Sequence, residues 1–146
     1  MRTLVIYDST YGNTAKIAQA IGTAITAQVL RVGEVNPSAM NALDLLILGS
    51  PTMGGKPTQA IQDWLQALAP ALKGVNVAAF DTRLTAKWVR LFGYAAEKIA
   101  GSLKANGGTL LGSPAGFFVK GTKGPLQEGE LERAAAWAKE IVKSKN

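Results

Sequence analysis

Residues 3 to 14 constrain this chain more than any other stretch. Thr3-Leu4-Val5-Ile6-Tyr7 is a short, apolar run, and Asp8-Ser9-Thr10-Tyr11-Gly12-Asn13-Thr14 follows at once. Ile17, Ile21, Ala24 and Ile25 then recur at helical spacing. The run therefore reads as a buried strand and its sequel as one face of a helix. The loop between them sits at a strand-to-helix corner, where the first N–H groups of the helix lack partners and carry the positive end of its dipole. Ser9, Thr10, Asn13 and Thr14 add side-chain donors, and Gly12 lets the backbone turn and come close to a bound group. The corner reads as a phosphate cradle without a cation. The plainer alternative is a helix capped by Ser9 or Thr10 after a glycine turn.

Two familiar phosphate loops fail here. A Walker loop needs Gly-Lys-Ser/Thr where this chain has Gly12-Asn13-Thr14, and the dinucleotide fingerprint needs three spaced glycines where only Gly12 is present. The composition narrows the chemistry further. A chain of 146 residues predicts one core and a single domain over 1–146. With 0 Cys and 0 His, zinc ribbons, thiol nucleophiles and Ser-His-Asp hydrolysis in their usual forms are removed, no metal site is expected, and any reaction must lean on a cofactor. No stretch approaches the roughly eighteen apolar residues of a membrane span, so a soluble cytoplasmic protein is the expectation.

The remaining elements follow in order. Gln28-Val29-Leu30-Arg31-Val32 carries a charge, as an edge strand does, and Asn36-Pro37 starts a short helical element. Leu45-Leu46-Ile47-Leu48 is apolar on both faces, which argues for a central parallel strand. It runs into Gly49-Ser50-Pro51-Thr52-Met53-Gly54-Gly55. Ile61, Trp64, Leu65, Leu68 and Leu72 share the face of the next helix, so Trp64 is read as core. The fourth strand is read as 75–80, and the third loop as Asp81 to Trp88. Phe92, Ala95, Ala96, Ile99 and Leu103 form a third helix, stopped at Asn106-Gly107-Gly108. Leu110-Leu111 and Phe117-Phe118-Val119 make a fifth strand broken between Gly112 and Gly116. The final helix, from about Glu128, places Leu131, Ala134, Ala135, Ala138 and Val142 on one face, with Glu128, Glu130 and Glu132 stabilising its first turn. This is an α/β pattern, a doubly wound five-stranded parallel sheet of order 2-1-3-4-5, whose ligand crevice lies beyond the first and third strands.

The first loop resembles the FMN phosphate loop of the flavodoxin family, Ser/Thr-x-Thr-Gly-Asn-Thr after the first strand: Ser9, Gly12, Asn13 and Thr14 match. Tyr11 stands where flavodoxins place a hydroxyl and is closer to the flavodoxin-like quinone reductases. The resemblance extends to Pro51-Thr52 and, by element order, to essentially the whole chain. It implies FMN as cofactor, with the second and third loops holding the isoalloxazine ring. Met53 stands where a Trp is common, which offers a thioether instead of a stacking ring. Gly54-Gly55 suits the family's redox-linked peptide flip, or is an ordinary turn. In the third loop, Asp81, Thr82, Arg83 and Trp88 are the candidate contacts. Asp81 accepts from a flavin edge or closes the turn, and Trp88 stacks on the ring or packs elsewhere. Arg83 and Lys87 replace the family's acidic surround, and cations there ease reduction of the flavin. The segment from Phe118 to Leu126 is assigned no chemistry.

Between Arg83 and Lys123 there are seven basic residues (Arg83, Lys87, Arg90, Lys98, Lys104, Lys120, Lys123) against Glu97 alone, so this sector accounts for the whole net charge of +6. Such a field steers acidic partners. The leading expectation is an FMN-binding electron carrier that meets redox partner proteins through acidic docking surfaces, with nucleic acid disfavoured and no membrane partner. The rivals are an NAD(P)H-quinone reductase and a flavin-free binding module with a basic docking face.

Overall fold

The computed structural model describes residues 1–36, 40, 42–68, 72–85 and 93–145. Pro37, Lys87, Trp88, Arg90 and Phe92 lie outside the described residues, and the expectations placed on them go no further.

The opening run forms β1 (Thr3–Tyr7), and the loop after it leads into α1 (Asn13–Ile25). β2 (Gln28–Arg31) pairs with β1 alone and is the edge strand its charge suggested. β3 (Leu45–Pro51) lies on the other side of β1, and Leu45 to Leu48 are fully buried. α2 (Gln59–Leu68) follows, then β4 (Asn76–Leu84), which pairs with β3. α3 (Ala95–Ala105) leads to β5 (Thr109–Leu110) and β6 (Ala115–Val119), and α4 (Glu130–Lys143) closes the order. All these pairings are parallel, and the sheet runs β2-β1-β3-β4-β5, with β6 also on β4. β5 pairs with Asn76 and Val77 and β6 with Phe80 to Leu84, so they are two pieces of one fifth position.

The helices bury each face of the sheet in turn. Leu4, Ile6, Leu46, Leu48, Val77 and Ala79 point to one side, where Ile61 and Leu65 of α2 and Ile99 and Leu103 of α3 cover them. Val5, Leu45, Ile47, Ala78 and Phe80 point to the other, against Ile17 and Ile21 of α1 and Ala134, Ala138 and Ile141 of α4. That alternation is the period of two that a strand imposes. On the second side Phe80, Phe117 and Trp137 form a triad of edge-to-face rings with centroids 6.1 to 6.2 Å apart, each pair adding about 0.5–1.5 kcal/mol beyond its buried area. Trp64 packs against the first cluster, as its spacing predicts.

Two boundaries differ from the sequence reading. β4 continues to Leu84, so Asp81, Thr82 and Arg83 are strand residues paired with Gly116, Phe117 and Phe118 of β6 and do not form a loop. A charged residue can extend a strand when its charge is met: Arg83, two residues on along the same face, takes that of Asp81, and the Ala96 N–H and the Tyr94 ring, which the local pattern does not reveal, complete the arrangement. α2 is described as far as Leu68, and Leu72, beyond residues that lie outside the described ones, is fully buried. α4 starts at Glu130 behind Gly129, which leaves Glu128 outside the helix and Leu131 exposed, while Glu130, Ala134, Ala138 and Ile141 are buried. The alanine-rich stretch allows two phases one residue apart, and the acid at Glu130 hides the true one. Glu130 accepts the Phe118 N–H at 2.7 Å and pairs with Arg133 at 2.6 Å.

Candidate functional site: a crevice at the strand ends

Parallel strands that start helices at their carboxyl ends bring the loops after β1 and β3 and the end of β4 to one side of the sheet. The loop after β1 holds itself in shape. Ser9 Oγ accepts the Gly12 N–H at 3.0 Å and the Ala15 N–H at 3.4 Å, and Gly12 takes φ 93°, a left-handed conformation open to glycine at little cost. Asp8 fixes the loop's stem: it accepts from the Ser9 N–H at 2.9 Å, from Thr58 Oγ1 at 2.6 Å and from Arg31 Nη1 at 3.2 Å. The N–H groups of Thr10, Tyr11, Asn13 and Thr14 are left without a partner among the described residues. Asn13 and Thr14 are themselves buried, and the Thr14 and Thr82 hydroxyls meet at 2.8 Å on the crevice floor.

The loop after β3 forms the facing wall. Met53 and Lys56 exchange two backbone hydrogen bonds, 2.8 and 3.1 Å, across Gly54 and Gly55, whose φ values of 59° and 79° are the pair a tight type I′ hairpin demands. Lys98 donates to the Gly55 carbonyl from behind. Met53 stands 48% exposed at the rim, opposite an equally exposed Tyr11, and the Thr10 hydroxyl reaches its sulfur at 3.7 Å. Two large apolar side chains thus remain in water at the mouth of a polar slot.

Ser9, Thr10, Tyr11, Asn13, Thr14, Pro51, Thr52, Met53, Thr82 and Arg83 line the crevice together. Gly12, Gly54 and Gly55 shape its walls from outside that lining. Asp81 does not line it. Its carboxylate is buried, accepting from Arg83 Nε and Nη2 at 2.7 and 2.8 Å and from the Ala96 N–H at 2.9 Å. Burial pushes the Asp81 carboxyl up, while the Arg83 fork, the Ala96 N–H and the Thr52 hydroxyl pull it back. The fork gives the pair two charge-assisted hydrogen bonds. Asp81 therefore has little capacity left for a flavin edge. Arg83 is correspondingly no lone cation: it is locked to Asp81, lies 3.6 Å from the Tyr94 ring centre, and rests on Gly116, where a Cβ would stand 2.1 Å from Nε. Its charge toward the crevice is offset by its partner. Trp88 lies outside the described residues.

Sequence reasoning missed Leu84, Val119 and Thr122, which complete the lining. Thr122 belongs to the glycine-rich segment given no chemistry, and the density of Gly121 and Gly124 around it was the available signal. The crevice encloses about 80 Å³, against about 490 Å³ for a groove between α2 and α3. Its convergent donors, rather than its volume, set it apart. That donor set fits a phosphate monoester: unpaired amides at a helix start, hydroxyls beside them, and glycine where the backbone must turn. Among the described residues no group of His, Cys, Asp or Glu is arranged to hold a metal.

Fold and crevice together define a doubly wound α/β protein whose unpaired donors face the switch point between β1 and β3. The flavodoxin family model matches residues 5–137, and the chain belongs to that family. Membership implies FMN as the cofactor. A flavodoxin from the domain Archaea superposes with a TM-score of 0.81 at 23% identity, over 100% of both chains. Flavodoxin 1 from Bacillus cereus gives 0.81 at 20% identity, over 98% of both. In sequence, the chain is 46% identical over 65 residues to diflavin flavoprotein A 2 of Thermosynechococcus vestitus, a match covering 38% of this chain and 11% of that protein. It is 25% identical over 158 residues to an uncharacterized protein of Methanocaldococcus jannaschii, covering 99% of this chain and 100% of that one. The match thus spans about a tenth of the length of the diflavin flavoprotein.

Proposed function

We propose that the protein is an electron carrier, in which FMN bound in the crevice passes electrons between partner proteins. FMN supplies the one- and two-electron chemistry when bound. Unpaired amides at the α1 start would receive the phosphate, and Thr14, hydrogen-bonded to Thr82, would add a hydroxyl. Pro51, Thr52 and Met53 would line one side of the ring, and the exposed Tyr11 and Met53 would leave the mouth open to a partner. The observation that carries this reading is the convergence of the β1 and β3 loops on unpaired donors, in a chain with no histidine or cysteine to run acid–base or thiol chemistry. The surplus of basic residues between Arg83 and Lys123 supports partners with acidic docking surfaces.

A visible absorption spectrum of the purified protein, repeated after FMN is added back to the stripped form, tests the cofactor. Thr14→Ala weakens uptake of FMN by about fivefold to tenfold and of riboflavin by less, because only FMN carries the phosphate that the hydroxyl serves. Steady-state oxidation of NADH or NADPH with a quinone as acceptor separates the reductase: sustained turnover would replace the carrier reading.

A further inference from the structure

Ser9 to Thr14 include no Lys or Arg, and Arg31, which donates to the Ser9 carbonyl at 3.1 Å, is paired with Asp8; the segment after β6 brings a further cation. Residues 120–126 double back on themselves through a Lys120 N–H to Pro125 carbonyl bond of 2.8 Å and a Gly124 N–H to Gly121 carbonyl bond of 2.9 Å. The doubled segment presses on the corner between β1 and α1. A Cβ on Gly124 would stand 2.6 Å from Asn13 Oδ1, so only glycine lets the two come so close. Thr122 joins the crevice lining, and Lys123 holds its ammonium 6.0 Å from the centre of the Tyr11 ring. Tyr11 sits among the unpaired amides of Thr10, Asn13 and Thr14. Lys123 itself makes no ion pair among the described residues.

We propose that Lys123 is the cation of the phosphate site, delivered across the crevice by the glycine-rich segment, and that it selects ligands ending in a phosphate monoester. The inference rests on the FMN reading and adds to it a residue that the loop motif lacks. The chemistry follows from charge. The start of α1 offers about half a positive charge, whereas a phosphate monoester carries nearly two negative charges above its second pKa of about 6. Amides alone leave most of that charge uncompensated. An ammonium on a four-carbon stem is a mobile point charge, and the face of Tyr11 holds it nearby by cation–π attraction until an anion takes it over. Because Lys123 is exposed, its effect is modest and sensitive to salt.

The test is calorimetric titration of the stripped protein with FMN and with riboflavin, at low and high salt, for the wild type, Lys123→Met, Lys123→Arg and Lys120→Met. Lys123→Met weakens FMN by about threefold to tenfold at low salt and leaves riboflavin unchanged. Lys123→Arg restores FMN binding, and Lys120→Met, which removes the same charge from the same segment, has the smaller effect. Inorganic phosphate is the second probe: it raises the melting temperature of the stripped wild type more than that of Lys123→Met. Equal loss of FMN and riboflavin would reduce Lys123 to a prop for Tyr11, and unchanged FMN affinity would remove its charge from recognition; either overturns the proposal. A wild type that takes up neither flavin overturns the FMN reading, while phosphate protection lost in Lys123→Met would still uphold the anion site.

Discussion

Ser9 serves as an acceptor within its own loop, and Asp81 as an acceptor beneath the crevice floor. Each residue type suggested a ligand contact, and each spends hydrogen-bonding capacity on the fold first. The Asp81–Arg83 pair sets the cost of tampering with that floor. Arg83→Ala strands a buried carboxylate and lowers stability by about 3–5 kcal/mol, read from urea unfolding, so it reports on folding before it reports on redox chemistry. Glu130 gives a cleaner titration. Its bond to Arg133 holds the carboxyl below the usual range, with burial opposing and the Phe118 N–H assisting. A carboxyl depressed in the folded state stabilises above its unfolded value, 4.5 for a glutamate, and that contribution fades as pH falls through the folded value. Melting temperature measured from pH 7 down to pH 3 should drop more steeply for the wild type than for Glu130→Gln. The variant should start about 1 kcal/mol lower at neutral pH.

Among the elements, α3 is capped from elsewhere. Its N-cap position holds Tyr94, whose side chain makes no cap bond, and the orphan donors of its first turn go to the Thr52 hydroxyl at 3.0 Å and to Asp81. A helix start thereby depends on a residue of the β3 loop and one of β4. Thr52→Val removes one cap and costs about 0.5–2 kcal/mol. Hydrogen exchange at the Ala95 amide should speed up while α1 amides stay protected. β6 shows the same economy at a sheet edge. At Phe118 its outer N–H and carbonyl are met by Glu130 and by the Gln127 N–H, 2.9 Å from that carbonyl, which blunts the edge there.

For the molecule as a whole, the surplus positive charge falls in the stretch from Arg83 to Lys123, and the crevice opens at one end of the sheet. For the acidic partners of the proposed carrier, electrostatic steering sets encounter rates more than it sets affinity. Stopped-flow electron transfer to an acidic protein acceptor should slow about tenfold between 0.01 and 0.2 M salt, as the Debye length shrinks from about 30 Å to below 10 Å. A neutral small-molecule acceptor should show almost no salt dependence.

Strand order, the two-faced burial of Leu45 to Leu48 and the unpaired helix start after Gly12 were legible along the chain, because strand and helix periods and turn chemistry are local properties. The continuation of β4 through Asp81 and Arg83 was not. It depends on a guanidinium cradled between Tyr94, at the start of α3, and Gly116 of β6, two residues far apart in sequence that meet at the end of β4. The phase of α4 was hidden for the same reason, since burying Glu130 is tolerable only once Phe118 and Arg133 are beside it. Local pattern determined the elements and the anion-seeking corner. Tertiary structure decided which charges are neutralised within the protein and which, like Lys123, remain for a ligand, because even partners two or three residues apart, as in Asp81–Arg83 and Glu130–Arg133, meet only when the strand or helix and its packing point them together.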